Sequence, residues 1–196
     1  MHPILNRNVF FVKEHVGMFK ASNNYDIHDP ETQQVILHCR EDNLGFFTKM
    51  FRFTDYKRMT PFEVEIRTPS GEKVLTVRRG VSFILSTVEV LDEKGTLVGK
   101  FKQKFFSFGG KFQVLDASER PLCMLKGKWT SWEFKFVSSD NKEFAWVTKK
   151  WAGFGKEFFT SADNYVLQIG DDVPADHPLR LLIMAAVMCI DFVLKE

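Results

Sequence analysis

The strongest constraint on this chain is an apolar segment near its C-terminal end that has no polar face. Residues 181–190, within "LRLLIMAAVMCIDFVLKE", are all apolar, and Asp191 follows them. Leu, Met and Ala favour helix, Pro178 suits a first helical turn and Asp176 can cap it, so we predict a helix over about 178–195. A helix that is apolar on every side must be surrounded by protein or by lipid.

The length of this segment favours burial inside protein. A helix that spans a bilayer needs roughly 20 apolar residues. The run here has about ten, or about 14 if Asp191 is tolerated. A buried carboxylate must be paired or neutral, so we expect Asp191 to meet a lysine of the surrounding structure or to reach solvent near the helix end. The helix therefore needs a protein sleeve with an apolar inner wall.

The rest of the chain predicts that sleeve, because alternating runs recur around polar turns. The clearest unit is "FEVEIRT-PSGE-KVLTVRR". Similar units are "YDI-HDPET-QQVILHC", "STVEVL-DEKG-TLVGKFKQK", "KFQVLD-ASER-PLCMLKGK", "WEFKFV-SSDN-KEFAWVTKK" and "NYVLQI-GDDV". Polar turns between period-two runs are typical of β-hairpins. The 21 Phe residues also suit half-buried strands.

About six hairpins give roughly a dozen strands, which is too many for one open twisted sheet. A closed barrel or a two-sheet sandwich remains. A barrel of roughly a dozen strands encloses a lumen about 10 Å wide, which is the diameter of a helix. We therefore predict a mainly β fold, a closed antiparallel barrel of about twelve strands that encloses the hydrophobic C-terminal α-helix. We treat residues 1–196 as a single domain.

Composition limits the compartment and the chemistry. The three cysteines, Cys39, Cys123 and Cys189, are widely spaced and odd in number, which indicates neither a disulfide framework nor a zinc knuckle. The first residues lack the basic and apolar regions of a secretory signal, so we expect a cytoplasmic protein that can lie peripherally on a membrane. We find no nucleophile elbow, P-loop, Rossmann fingerprint or HExxH motif, and we do not expect an enzyme.

Charge is distributed unevenly along the chain. Residues 94–130 hold eight basic and two acidic side chains, a net charge of +6, whereas residues 157–196 hold two basic and seven acidic ones, a net charge of −5. We expect no nucleic-acid partner, because the whole chain carries only +2 and lacks a recognition helix.

Five lysines of the basic region are candidates for contact with anionic phospholipid headgroups, which attract basic side chains at a membrane surface. They are Lys100, Lys102, Lys104, Lys126 and Lys128. A solvated strand face is the alternative interpretation of the same residues.

A spaced motif of aromatic, glycine and acidic residues lies between the last hairpin and the apolar segment. It is Lys149-x-Trp151-x-Gly153-x-x-x-Glu157-x-Phe159-Thr160-x-Ala162-Asp163-Asn164, and "MAAVMCIDF" follows near the C-terminus. Together these stretches resemble the phospholipid scramblase family. The chain is also similar to the plant LURP-one-related proteins and, at the level of fold, to the Tubby C-terminal domain. The resemblance implies a closed barrel around a central hydrophobic helix.

The resemblance also implies a Ca²⁺ site at the positions that match residues 161–172, where Asp163 and Asp172 supply carboxylates. Ser161 stands where the family has an acid. The run "NYVLQI" inside this segment is typical of a strand, and a strand cannot wrap its own carbonyls around an ion. A weak Ca²⁺ site and a plain strand before an acidic linker both stay open.

The function implied by the resemblance is that of a scramblase-family protein, membrane-associated and binding or acting on phospholipids. Lipid scrambling itself enters by analogy alone. The alternative is a soluble, non-enzymatic lipid-binding, protein-binding or scaffold module of the LURP-one or Tubby type. We expect a monomer whose partner is an anionic phospholipid surface.

Overall fold

The structure is a computed structural model that describes residues 1–15, 24–42, 45, 59–82, 84–104, 110–128, 130–149 and 164–195. Twelve strands lie in this part of the chain: β1 Val9–Glu14, β2 Tyr25–His28, β3 Val35–Arg40, β4 Phe62–Arg67, β5 Lys73–Arg79, β6 Thr87–Asp92, β7 Leu97–Gln103, β8 Lys111–Asp116, β9 Pro121–Lys128, β10 Glu133–Val137, β11 Glu143–Thr148 and β12 Asn164–Ile169. A 3₁₀ turn at Pro3–Asn6 precedes β1, helix α1 spans Leu179–Ile190, and a π-helical turn at Asp191–Lys195 follows it.

The strands form one closed antiparallel barrel. Each strand pairs with its neighbours in chain order, and β1 pairs with β12 to complete the circle. Every described strand therefore has two hydrogen-bonded neighbours, and this arrangement removes the exposed strand edges that invite aggregation. The prediction of a closed antiparallel barrel of about twelve strands is confirmed, and the sandwich alternative is wrong.

One strand pairs in a way that the hairpin pattern did not predict. The run "NYVLQI" is β12, but the residues after it lead into the helix and not into a hairpin partner. Its partner is β1, with Val9 opposite Gln168 and Lys13 opposite Asn164. Because β1 and β12 lie at opposite ends of the sequence, no local turn marks them as a pair.

Helix α1 lies inside the barrel. Its residues 180–190 are buried, and it contacts β5, β6, β7, β11 and β12. Inward-facing aromatic side chains such as Phe101, Phe112 and Phe136 belong to the same buried cluster as the helix. The helix therefore meets apolar wall on its sides, as its lack of a polar face requires. Among the helices of the described residues, none has both the length and the hydrophobicity needed to cross a bilayer.

A buried arginine holds the start of the helix. The guanidinium of Arg180 donates to one side-chain oxygen and four backbone carbonyls, those of Asn8, Leu5, Arg7, Val173 and Pro174. Burial lowers the pKa of Arg180, and these five acceptors compensate for the water that the cation has lost. The contacts join the helix start to the segments before β1 and after β12.

The two ends of the barrel differ in their connections. At one end, which we call the tight-turn end, five links between strands have four to six residues each. At the other end, which we call the loop end, the links after β1, β3, β5, β7, β9 and β11 have between four and 21 residues. Helix α1 begins at the tight-turn end and runs towards the loop end.

Strand β7 approaches the helix closely at a glycine. A Cβ added to Gly99 would overlap the carbonyl oxygen of Leu115 and would lie 3.2 Å from both methyl carbons of Leu182. The absence of a side chain at this position therefore allows the helix to rest against β7.

We expect Gly99→Val to lower the free energy of unfolding by about 2 kcal/mol, because the added carbons overpack a filled core. Urea denaturation measures the change. The matched control is Gly80→Val, since a Cβ at Gly80 meets nothing within 4 Å and its effect should stay within about 0.5 kcal/mol. Equal unfolding midpoints for both variants would contradict the close packing of β7 against the Leu115 carbonyl and helix α1.

Candidate functional site

A row of lysines crosses four neighbouring chain segments at the loop end. Lys111 on β8 lies opposite Lys126 on β9, and Lys126 lies opposite Lys135 on β10. The backbone amide of Lys104, the residue after β7, donates to the carbonyl of Lys111 at 3.0 Å and extends the row by one position. We call Lys104, Lys111, Lys126 and Lys135 the lysine row.

The positive charge of the row is only partly balanced. The ammonium of Lys135 lies 2.9 Å from a carboxylate oxygen of Glu143. Within the described residues, by contrast, none of the ion pairs involves Lys111 or Lys126. The nearby Lys128 lies directly opposite Glu133 on β10. Like charges directly opposite each other destabilise a sheet. The lysine row therefore lowers the stability of the sheet when no ligand is bound. An anionic ligand would reduce the repulsion between its charges.

A groove with a volume of about 700 Å³ lies beside the row. At the loop end its lining includes Leu85, Lys102 and Lys104. From there the groove runs past Gln113 to Glu119 at the tight-turn end. Lys102 also lies 3.7 Å from Glu119, and it is half exposed. Ammonium and amide donors at the edge of a concave surface can donate charge-assisted hydrogen bonds to phosphate oxygens.

The structure brings together four of the five lysines predicted as headgroup candidates. Lys102 and Lys104 at the end of β7 lie near Lys126 and Lys128 at the end of β9, because β8 pairs with both strands. Lys100 lies further from the loop end, where its ammonium is 3.0 Å from Glu119. That hydrogen bond raises the pKa of Lys100 and engages its charge within the protein.

Lys111 and Lys135 complete the row, and the sequence pattern did not indicate them as headgroup candidates. The hairpin "KFQVLD-ASER-PLCMLKGK" does indicate that Lys111 lies near Lys126. Pairing its residues one by one outwards from the pair nearest the turn places Lys111 next to the partner of Lys126. The register shifts between Val114 and Leu115, so simple counting misses the pair by one residue.

Only one of the two Ca²⁺ candidates lies in the described part of the chain. Asp163 lies outside the described residues. Asp172 follows β12 at the tight-turn end, where its carboxylate is 2.8 Å from the ammonium of Lys142. Among the described residues, no group of three or more His, Cys, Asp or Glu side chains is placed to hold a metal ion. These residues do not supply the carboxylate cluster that Ca²⁺ needs, and Ca²⁺ binding stays a prediction.

A buried carboxylate ends the central helix at the loop end. Asp191 is only 2% exposed and accepts hydrogen bonds from the hydroxyl groups of Tyr165, at 2.7 Å, and of Tyr25. The expectation that it escapes to solvent is wrong, because β2 and β12 supply these donors inside the barrel. Burial, together with the nearby Asp191, raises the pKa of Tyr25 well above its ordinary value, so that hydroxyl stays a donor.

A second charged cluster lies on the outer face of β2 and β3 at the loop end. The carboxylate of Asp26 is 2.6 Å from His15, 2.7 Å from His38 and 2.6 Å from Arg40. Burial alone would raise the pKa of Asp26, but hydrogen bonds from His38, Arg40 and His15 outweigh it and lower the pKa to about 2. This cluster contains its own counter-charge, in contrast to the lysine row.

We expect Asp26→Asn to lower the free energy of unfolding by about 1 kcal/mol at pH 7, after allowance for solvent screening. The folded pKa of Asp26 lies below the ordinary value of 3.8, so its charge stabilises the fold above pH 3.8 and loses this effect as the pH falls to about 2. Urea denaturation at pH 7 and at about pH 2 should show that the difference in free energy of unfolding between the two proteins is smaller at the lower pH. An equal difference in free energy of unfolding at the two pH values would contradict stabilisation by the charged form of Asp26.

This chain matches one protein family and several known proteins. The family model described as Scramblase matches residues 5–196. The chain is similar to "Phospholipid scramblase family member 5" of Homo sapiens, with 24% identity over 191 residues that cover 90% of this chain and 68% of the relative. It is also similar to "Altered inheritance rate of mitochondria protein 25" of Saccharomyces cerevisiae, with 24% identity over 84% of this chain and 57% of the relative.

A third relative is "Phospholipid scramblase 2" of Homo sapiens, with 23% identity over 91% of this chain and 62% of the relative. The chain thus spans between about half and two thirds of the length of the curated relatives it matches. No solved structure gives a significant match. The separate likeness to LURP-one-related and Tubby proteins stays a prediction.

Proposed function

Because the chain belongs to the scramblase family, we propose that it binds anionic phospholipid headgroups through the loop end of its barrel. The observation that carries this proposal is the lysine row. Lys111, Lys126 and Lys135 lie directly opposite one another, and in the described residues only Lys135 among them has an ion-pair partner. A phosphate-bearing ligand would offset the repulsion between the ammonium groups of these opposed lysines.

The chemistry of the surface suits headgroups held by several lysines at once. Each basic side chain near an anionic membrane contributes roughly 1 kcal/mol, so Lys104, Lys111 and Lys126 contribute about 3 kcal/mol together. Lys102 and Lys128 contribute less, because a glutamate lies beside each of them. That sum corresponds to binding that is reversible and that weakens as salt screens the charges. We therefore propose a peripheral membrane location for this protein.

Recognition of phospholipid is a different activity from transport between leaflets, which the names of the relatives suggest. Transport requires a polar path through hydrocarbon. In the described structure the barrel lumen is filled by the apolar helix α1, and the lysines lie outside it. We therefore assign headgroup binding to this chain and leave transport as an analogy with the relatives.

Flotation with vesicles tests the proposal directly. We expect the protein to float with vesicles that contain phosphatidylserine and to remain at the bottom of the gradient with pure phosphatidylcholine vesicles. Binding should weaken as NaCl rises from about 50 to about 300 mM, because salt shortens the distance over which the charges attract. Failure to float with phosphatidylserine vesicles at low salt would overturn the proposal. The binding or scaffold module of the LURP-one or Tubby type would then be favoured.

We expect Lys111→Gln combined with Lys126→Gln to weaken vesicle binding about 30-fold, because two basic contacts of roughly 1 kcal/mol each are removed. The same variant should unfold at an equal or higher urea concentration, since two opposed like charges are gone. The matched control is Lys73→Gln with Lys94→Gln, which removes the same charge at the tight-turn end. An equal loss of binding in the control would show that net charge alone is responsible.

A further inference from the structure

The described residues of the link between β5 and β6, 80–82 and 84–86, present apolar side chains to solvent at the loop end. Ile84 is 77% exposed, Val81 is 62% exposed and Leu85 is 37% exposed. Such side chains are normal on a surface when they are scattered singly. Here Val81, Ile84 and Leu85 lie on one short link and not singly, and we call them the apolar patch. Grouped exposed apolar side chains are typical of surfaces that contact a partner or a membrane.

This apolar patch adjoins the lysines of the proposed headgroup site. Leu85 lines the same 700 Å³ groove as Lys102 and Lys104. Thr87, the first residue after the link, lies directly opposite Lys102 in the sheet. An apolar tip beside a rim of basic side chains is the arrangement by which peripheral proteins enter the boundary between headgroups and acyl chains.

The surface on the other side of the link carries several acidic residues. A second groove of about 590 Å³ lies there, and its apolar lining includes Val81 and Leu85 of the link itself. The charged residues of its lining are Glu41, Glu63, Glu89, Arg78 and Arg79. Arg78 pairs with Glu89 at 2.9 Å, so this side carries little free positive charge. An anionic surface therefore favours a tilt of the loop end towards β7, β8 and β9, where the lysines lie.

We propose that Val81, Ile84 and Leu85 insert into an anionic phospholipid bilayer while the neighbouring lysines hold headgroups around them. This inference rests on the proposed function and adds an orientation to it. The loop end faces the membrane, and the tight-turn end, where Arg180 holds the helix start, faces away from it.

The same charges argue against a second copy of the chain as the occupant of the patch. Two copies that met through this end would bring Lys111, Lys126 and Lys128 of each molecule close to those of the other, and like charges at an interface are unfavourable. A bilayer rich in anionic lipid has the opposite charge and an apolar interior. It therefore complements both the lysines and the exposed link.

We expect Ile84→Ser to weaken binding to phosphatidylserine vesicles roughly tenfold, since inserted apolar area adds to the electrostatic attraction. The matched control is Leu122→Ser, which changes an exposed leucine near the tight-turn end and should leave vesicle binding unchanged. Both side chains are exposed, so both variants should unfold at the urea concentration of the unmodified protein. Equal binding by the two variants would overturn the insertion and leave headgroup binding intact.

A fluorescent probe gives a second measurement that does not depend on affinity. An environment-sensitive NBD group attached to Ile84→Cys should shift its emission to the blue on phosphatidylserine vesicles, whereas the same group on Leu122→Cys should not. The three native thiols are buried and burial raises their pKa values, so labelling favours the introduced cysteine. The absence of a shift at position 84 on vesicles that bind the protein would contradict insertion.

Two further outcomes separate the alternatives. If the unmodified protein fails to bind phosphatidylserine vesicles at all, the proposed function fails and the insertion fails with it. If light scattering shows self-association that Ile84→Ser abolishes while vesicle binding is unchanged, the patch is a contact between copies of the chain and the insertion is overturned.

Discussion

Leu182→Asp should abolish cooperative folding, with a loss of about 5 kcal/mol or more in the free energy of unfolding. Leu182 is fully buried in helix α1 and faces Gly99 on β7. The substitution removes the burial of a large apolar side chain and places a carboxylate where the described wall is apolar. Since a domain is typically stabilised by only about 5–15 kcal/mol, this change removes most or all of the margin.

Far-UV circular dichroism and urea denaturation measure this effect in buffer without detergent. The control is Leu122→Asp, which makes the same chemical change at a side chain that is 39% exposed and should cost less than about 0.5 kcal/mol. If Leu182→Asp folded as stably as Leu122→Asp, the helix would not be part of the core. The barrel would then have to fold around something else.

Tyr25→Phe combined with Tyr165→Phe should lower the free energy of unfolding by about 4 kcal/mol, because each change withdraws one hydroxyl donor from a buried carboxylate. Asp191 is 2% exposed, so water cannot replace the lost donors without opening the loop end. Phe keeps the ring volume of Tyr, and the effect therefore reports the hydrogen bonds and not the packing.

A mutant cycle provides the control for this prediction. In an Asp191→Asn background the two Tyr→Phe changes should cost less than half as much, since an amide without hydroxyl donors is less unfavourable than a carboxylate. Urea denaturation of the four proteins gives the coupling. Equal costs in both backgrounds would mean that the tyrosines stabilise the fold through contacts other than those with Asp191.

Local patterns were sufficient to predict most of this fold. Ten consecutive apolar residues predicted a sheathed helix, and the helix begins at Leu179, one residue from the predicted start. Five hairpins were visible because each has its turn between two alternating runs. Strand β1 was not predicted, because its partner β12 is more than 150 residues away and no turn connects them. Pairing of this kind depends on closure of the whole barrel, which a local pattern does not contain.

The site was less accessible to sequence reasoning than the fold. The alternation of lysines along β7 and β9 indicated Lys102, Lys104, Lys126 and Lys128, since residues two apart share a face. The role of Lys111 depends on cross-strand register, and a bulge displaces that register. The partners of Asp191 depend on how the helix is rotated within the barrel. Neither the cross-strand register nor the rotation of the helix can be predicted from a local sequence pattern.

Hydrogen exchange of the backbone amides of helix α1, followed by mass spectrometry in buffer without lipid or detergent, tests the central claim most directly. We predict that the amides of residues 181–190 exchange only when the whole protein unfolds, and that adding phosphatidylserine vesicles leaves their rates unchanged, because the barrel already surrounds the helix. Exchange of these amides within seconds in buffer, or protection that appears only with vesicles, would show that the helix is offered to lipid and would contradict the enclosed helix.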